Sequence, residues 1–68
     1  MFEVKKFSLI PDSIPSFENI DICCKKATEE KCIVELTWYY CNAWHNVIIY
    51  PDEGSWDVYN RLPKVYGM

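Results

Sequence analysis

Residues 32–41 constrain the fold more than any other part of the chain. The run Cys-Ile-Val-Glu-Leu-Thr-Trp-Tyr-Tyr-Cys is rich in β-branched and aromatic residues and contains neither glycine nor proline. This composition is typical of a β-strand. Because successive side chains of a strand point to opposite faces, the even-numbered residues 34–40 would share one face and the odd-numbered residues the other. Both sets include apolar residues, so both faces of this strand would benefit from cover.

A partner strand follows at once. Asn42-Ala43 is a plausible turn, because asparagine tolerates the left-handed backbone conformation. Residues 45–50 return as the second strand of a hairpin, and the sequence Pro-Asp-Glu-Gly at 51–54 ends it.

The N-terminal half of the sequence predicts a strand followed by a helix. Residues 2–10 predict the strand, and residues 14–30 predict the helix, capped by Ser13 or Ser16. Apolar residues recur along this segment at helical spacing, so one face of the helix would be buried.

A second, shorter helix is predicted near the C-terminus. Ser55 is positioned to cap a helix over residues 56–62, and Pro63 would stop it. Residues 63–68 read as a tail.

These elements give the order β-α-β-β-α. We therefore predict an α+β fold in one domain, residues 1–68, with a three-stranded sheet, one main helix on one face and a short C-terminal helix. The short helix is expected to cover at most part of the other face. The order of the strands in the sheet stays open.

Charge and hydropathy exclude several functions. The net charge is −3, and the lysine pairs 5–6 and 25–26 are balanced by nearby acids, so direct nucleic-acid binding is disfavoured. No apolar run approaches the ~20 residues that cross a bilayer, and residues 1–6 lack a signal-peptide pattern. We expect a cytoplasmic protein with reduced thiols and no membrane partner.

The cysteines and the single histidine raise the question of zinc. The candidate ligands are Cys23 or Cys24, Cys32, Cys41 and His45, but their spacing is not that of a paired zinc knuckle. If residues 32–41 form one strand, Cys32 and Cys41 lie about 30 Å apart, at ~3.3 Å per residue. They could not then share an ion, although Cys41 and His45 from two chains could supply four ligands. We predict no metal site and keep a zinc-binding domain as the third hypothesis.

Catalysis is also disfavoured. A Cys41–His45 nucleophile pair lacks a Gly-rich or helix N-terminal segment to bind an oxyanion. Asp52 and Glu53 lie in a turn, where carboxylates are normally solvated rather than perturbed for acid–base work. We therefore expect no enzyme activity, no catalytic residues and no cofactor.

The remaining feature of the sequence that indicates a function is a concentration of aromatic residues. Residues 32–59 hold seven tryptophans and tyrosines and four acids, but no lysine or arginine. Rings left at the surface beside acids suit a partner with basic residues. The predicted partner-binding residues are Tyr39, Trp44, His45, Asp52, Glu53 and Trp56.

These observations favour a non-enzymatic interaction protein that binds another protein with a basic surface. By analogy of size and composition alone, it resembles phage or mobile-element inhibitors that occlude a nucleic-acid-handling host protein. The alternative is a structural or regulatory homodimer whose second sheet face is the interface.

Overall fold

The computed structural model describes residues 2–9 and 14–62. It confirms the α+β class and the element order. The elements are β1 (Val4–Ser8), α1 (Phe17–Glu30), β2 (Ile33–Tyr40), β3 (Ala43–Ile49) and α2 (Ser55–Asn60). The predicted tail, residues 63–68, lies outside the described residues.

The three strands form one sheet in the order β1-β2-β3. Strand β2 is parallel to β1 and antiparallel to β3. The register with β1 runs without interruption from Val4↔Ile33 to Ser8↔Thr37, and the register with β3 runs from Val34↔Ile49 to Tyr40↔Ala43. Strand β2 is therefore central, and β1 and β3 are the two edges.

Helix α1 begins three residues later than predicted, because Ser16 rather than Ser13 is its N-cap. The Ser16 hydroxyl accepts a hydrogen bond from the Asn19 N–H at 3.2 Å, and the Asn19 side chain accepts one from the Ser16 N–H at 2.9 Å. This reciprocal pair is a capping box, which satisfies two backbone donors that the first turn would otherwise leave unpaired.

The hairpin turn lies one residue earlier than predicted, at Cys41-Asn42 rather than Asn42-Ala43. Both turn residues have positive φ, 55° and 62°, as a two-residue type I′ turn requires. Asparagine accepts this conformation readily, whereas cysteine does so at a steric cost. The pairing of Tyr40 with Ala43 fixes the turn at these two residues.

The core lies on one side of the sheet only. Val34, Leu36 and Trp38 of β2 are buried with Val47 and Ile49 of β3. These five side chains share one face by the alternation of their strands. The same cluster contains the buried residues of α1, namely Ile20, Cys23, Cys24 and Ala27.

Helix α2 packs on this same side, which corrects the expectation that it would cover part of the other face. Val58 and Leu62 are buried in the same cluster as the side chains of α1, and the two helices contact each other. Among the described residues, no helix packs on the opposite side of the sheet. We call that side the open face; its strand residues are Val4, Lys6, Ser8, Ile33, Glu35, Thr37, Tyr39, Trp44, Asn46 and Ile48.

Helix α2 also begins differently from the prediction. Gly54 is its N-cap and Ser55 is already its first residue. The Ser55 hydroxyl does not cap the helix but donates to Asp21 Oδ1 of α1 at 2.6 Å. This bond helps to hold α2 against α1.

Lys31 offers a test of the backbone at the end of α1. It is the C-cap and has φ 53° and ψ 54°, a left-handed conformation that costs an L-residue roughly 1–2 kcal/mol and glycine little. We predict that Lys31→Gly raises the free energy of unfolding by about 0.5–1 kcal/mol in a urea titration. Lys31→Ala is the matched control, because it removes the charge but keeps the strain. A Lys31→Gly variant no more stable than Lys31→Ala would contradict this reading.

Candidate functional site

The open face has apolar residues at its two ends and polar residues between them. Going across the strands, the first row is Val4 and Ile33, and the last is Tyr39 and Trp44. The two rows between them contain Lys6, Glu35 and Ile48, then Ser8, Thr37 and Asn46. The face therefore presents two apolar patches separated by a mainly polar band.

Trp44 is the most exposed large apolar side chain on this face. It is 67% exposed, and its ring meets Tyr39 edge-on at 5.1 Å between centroids. The two residues are directly opposite each other on β3 and β2. This contact supports one edge of the indole and leaves most of the ring accessible.

Tyr50 extends the other end of the open face. It follows β3 directly, so by alternation it lies beside Ile33 on the same side as Ile48. It is 52% exposed, and Val4 across the sheet is 50% exposed. This end therefore combines one aromatic with several aliphatic side chains.

His45 lies on the opposite side of the hairpin from Tyr39 and Trp44. It pairs with Trp38 across the strands, and their rings stack at 5.8 Å. Its Nε2 is 3.2 Å from the Tyr40 carbonyl oxygen, a separation at which a ring N–H would donate. The structure thus places His45 beside buried Trp38 and not with the open face.

Glu53 is already engaged within the chain. Its carboxylate accepts hydrogen bonds from Arg61 at 2.7 and 3.2 Å and from the Tyr50 N–H at 2.8 Å. Arg61 lowers the pKa of this carboxyl from its usual 4.5; partial burial opposes the shift, and the Tyr50 N–H adds to it. Glu53 therefore offers a basic partner less attraction than an unpaired carboxylate would.

Arg61 also reaches the edge of the sheet. Its Nη2 donates to the Ile48 carbonyl oxygen of β3 at 2.8 Å. One guanidinium thus joins α2, the β3–α2 loop and an edge strand. Edge strands expose backbone groups that no neighbouring strand pairs with. Arg61 forms a hydrogen bond with one such group, the Ile48 carbonyl oxygen.

Asp52 is exposed at the tip of the β3–α2 loop. Its φ is 69°, and its N–H donates to the Thr28 hydroxyl of α1 at 2.9 Å. The backbone of this loop is therefore tied to the helical layer. Asp52 and Glu53 adjoin the Tyr50 end of the open face but are not strand residues of that face.

Trp56 belongs to a separate aromatic cluster in the helical layer. Its ring stacks on Phe17 of α1 at 4.1 Å, and Tyr59 meets both rings edge-on. Trp56 is 63% exposed despite these contacts. The six predicted partner-binding residues thus do not form one surface: Tyr39 and Trp44 are together, Asp52 and Glu53 are adjacent, and His45 and Trp56 are elsewhere.

The cysteines do not converge on a metal site in the part of the chain that the structure describes. No group of three or more His, Cys, Asp or Glu is placed there to hold an ion. Cys32 and Cys41 flank the two ends of β2, Cys32 being buried and Cys41 exposed. Burial raises the pKa of the Cys23 and Cys24 thiols, which disfavours the reactive thiolate.

Two concave regions adjoin α1. An apolar groove runs between β1 and α1 and is lined by Phe7, Leu9, Ile22 and Leu36, among others. A more polar depression between α1 and the β3–α2 loop includes Asp21, Cys24 and Ser55. The Ser55 hydroxyl there donates to Asp21, so the pair serves to join two helices.

Four of the six basic side chains among the described residues form ion pairs. Lys5 and Lys26 both bind Glu30, Lys25 binds Asp21, and Arg61 binds Glu53. No helix among residues 2–9 and 14–62 is long and apolar enough to cross a membrane.

The sequence did not reveal four residues that contribute to the site. Val4, Ile48 and Tyr50 join the open face because of the strand register and the position of α2, neither of which is a local property. The role of Arg61 depends on a contact between residues 13 apart. Alternation would have identified the open-face residues once the covered side was known.

The Arg61–Glu53 pair predicts a pH-dependent effect. Because the folded-state pKa of Glu53 is lowered, its stabilising effect is present above about 4.5 and is lost as the pH falls through the folded-state pKa. Arg61→Gln should raise the Glu53 pKa toward 4.5 in an NMR titration. The stability difference between the two proteins should be large at neutral pH and shrink in acid.

Glu30 is the internal control for that titration. Its pKa is held at about 2 by hydrogen bonds from Lys5 and Lys26, which Arg61→Gln leaves in place. An unchanged Glu53 pKa in the variant would mean that Arg61 does not bind this carboxylate in solution.

Comparison with known proteins does not assign this chain to a family. No protein-family model matches it, and neither the curated proteins nor the solved structures contain a match. Its function must therefore be argued from the geometry of its surfaces.

Proposed function

We propose that this protein is a non-enzymatic interaction protein that binds another protein surface through the open face of its sheet. The observation that supports the proposal most strongly is the exposure of Trp44 at the end of a sheet face that no described helix covers. Large exposed apolar side chains grouped on one face are typical of protein-binding sites.

The site is preorganised for binding. Trp44 and Tyr39 are fixed on paired strands of the sheet, and their rings are already in contact. Tryptophan and tyrosine bury a large area for the loss of few rotatable bonds. They are also the residues most enriched among those that dominate binding energy. Binding at this face would therefore cost little side-chain conformational entropy, because these two rings are already held in place.

The more specific hypothesis is inhibition by occlusion of a basic, nucleic-acid-handling host protein, of the kind phage or mobile elements encode. Asp52 supports a basic partner because it is exposed two residues after Tyr50, although its backbone N–H is bonded to Thr28 of the helical layer. Glu53 contributes less, because Arg61 pairs with it. The charge part of the hypothesis therefore depends on Asp52 and on Glu35, which lies on the open face beside Lys6, and it can be tested separately from the ring part.

The ring part is tested with matched baits. Wild-type protein, Trp44→Lys and Trp56→Lys would each be immobilised and exposed to an extract of the cells that express it, and retained proteins would be quantified by mass spectrometry. We predict that Trp44→Lys loses a specific partner that Trp56→Lys retains, because only Trp44 lies on the open face. The two variants add the same charge at similarly exposed tryptophans, so a general effect of charge is controlled. The same proteins retained by all three baits would contradict the proposal.

The charge part is tested on the partner so identified. Asp52→Asn removes the carboxylate while keeping a residue that tolerates the positive φ of this position. If the partner is basic, the variant should bind more slowly, and the difference should fade as salt is raised. An association rate equal to that of the wild type would remove Asp52 from the site without affecting the role of Trp44.

A further inference from the structure

We infer that the open face binds a second copy of this chain, with the two sheets packed face to face and their strands running in opposite directions. This inference rests on the part of the proposed function that makes the open face a protein-binding surface. It names a second copy, in place of a basic host protein, as the partner of that face. It follows from how the residues of the face are arranged relative to one another.

The face has two unlike apolar ends. The Tyr39–Trp44 end is aromatic, and the end with Val4, Ile33 and Tyr50 is mainly aliphatic. Ile33 and Tyr39 are six residues apart on β2, which places the two ends about 20 Å apart at ~3.3 Å per residue. A partner that covers the whole face must therefore supply two apolar patches about 20 Å apart with a polar region between them. A second copy of the same face has these features.

If the strands of the two sheets are aligned, two-fold symmetry allows two ways of stacking the faces. If the axis ran along the strands, Glu35 on central β2 would meet Glu35 of the second copy, and like charges would be brought together as they lose water. If the axis runs across the strands, Tyr39 lies over Ile33 of the second copy and Trp44 over its Tyr50. Glu35 then faces Thr37 of the second copy, whose hydroxyl can donate to a carboxylate. Lys6 beside Glu35 offsets part of this repulsion in the first arrangement. The second arrangement is favoured because it brings no like-charged side chains of the two open faces together.

The β3 edge of the sheet also favours face-to-face packing over pairing along that edge. Arg61 donates a hydrogen bond to the Ile48 carbonyl oxygen on the outer edge of β3. A second sheet therefore cannot pair along that edge without displacing the Arg61 side chain. The open face has no such obstruction in the described residues.

The size of the face sets the strength of the dimer. A standard interface buries roughly 800 Å² and 20–30 residues on each partner. The open face with Tyr50 provides eleven residues, about half that number. An interface of this size is typical of a reversible dimer, not of an obligate one.

The test is sedimentation equilibrium of the untagged chain, under reducing conditions so that exposed Cys41 cannot form an intermolecular disulfide. We expect the average mass to rise with concentration from 8.1 kDa toward twice that value. Trp44→Lys alone and Tyr50→Glu alone should each remain monomeric. An equimolar mixture of these two variants should dimerise again, because the antiparallel arrangement places Lys at 44 against Glu at 50.

Trp56→Lys, on the helical layer, is the control and should dimerise as the wild type does. Circular dichroism confirms that each variant is folded. A wild-type chain that stays monomeric throughout, a Trp44→Lys variant that still dimerises, or a mixture that does not recover would each overturn the inference. The two proposals can be told apart. If the wild-type chain is monomeric but Trp44→Lys loses binding of a different protein in the bait experiment, the second copy is not the partner and the proposed function still holds.

Discussion

The apolar side of central strand β2 determines on which side of the sheet the two helices pack. Its inward residues Val34, Leu36 and Trp38 are almost completely buried, and both helices contribute to the cluster around them. Burial of apolar area is the main favourable term in folding. Both helices pack on this side, so among the described residues the opposite face of β2 is left with the mixed set of the open face.

The position of α2 follows from this arrangement. Val58 is buried against the same core as α1, the Ser55 hydroxyl bonds to Asp21, and Arg61 bonds to the β3 edge and to Glu53. These contacts hold the short helix beside α1. The aromatic residues are divided as a result: Trp38 fills the core, Trp56 packs on the helical layer, and Trp44 is left on the open face. Tryptophan thus fills the core at position 38 and is available for binding at position 44.

Local patterns predicted the elements well, because strand alternation and helix capping act over a few residues. The run at 32–41 identified β2, and the apolar spacing after Ser16 identified α1. The side taken by α2 could not be predicted, because Val58 suits either face until the tertiary contacts are known. The turn was misplaced by one residue, because Cys41 accepts a positive φ that its type disfavours. Glu53 looked available in sequence, since its partner Arg61 is eight residues away.

The central claim is that residues 2–9 and 14–62 leave the Trp44 side of the sheet uncovered. The most direct test is the relaxation enhancement that a soluble paramagnetic agent produces at the three tryptophan indole N–H groups, measured on a dilute, monomeric sample. The account predicts strong enhancement for Trp44, similar to that of Trp56, and little for Trp38. A Trp44 indole as protected as that of Trp38 would show that another part of the same chain covers this face, and would contradict the account.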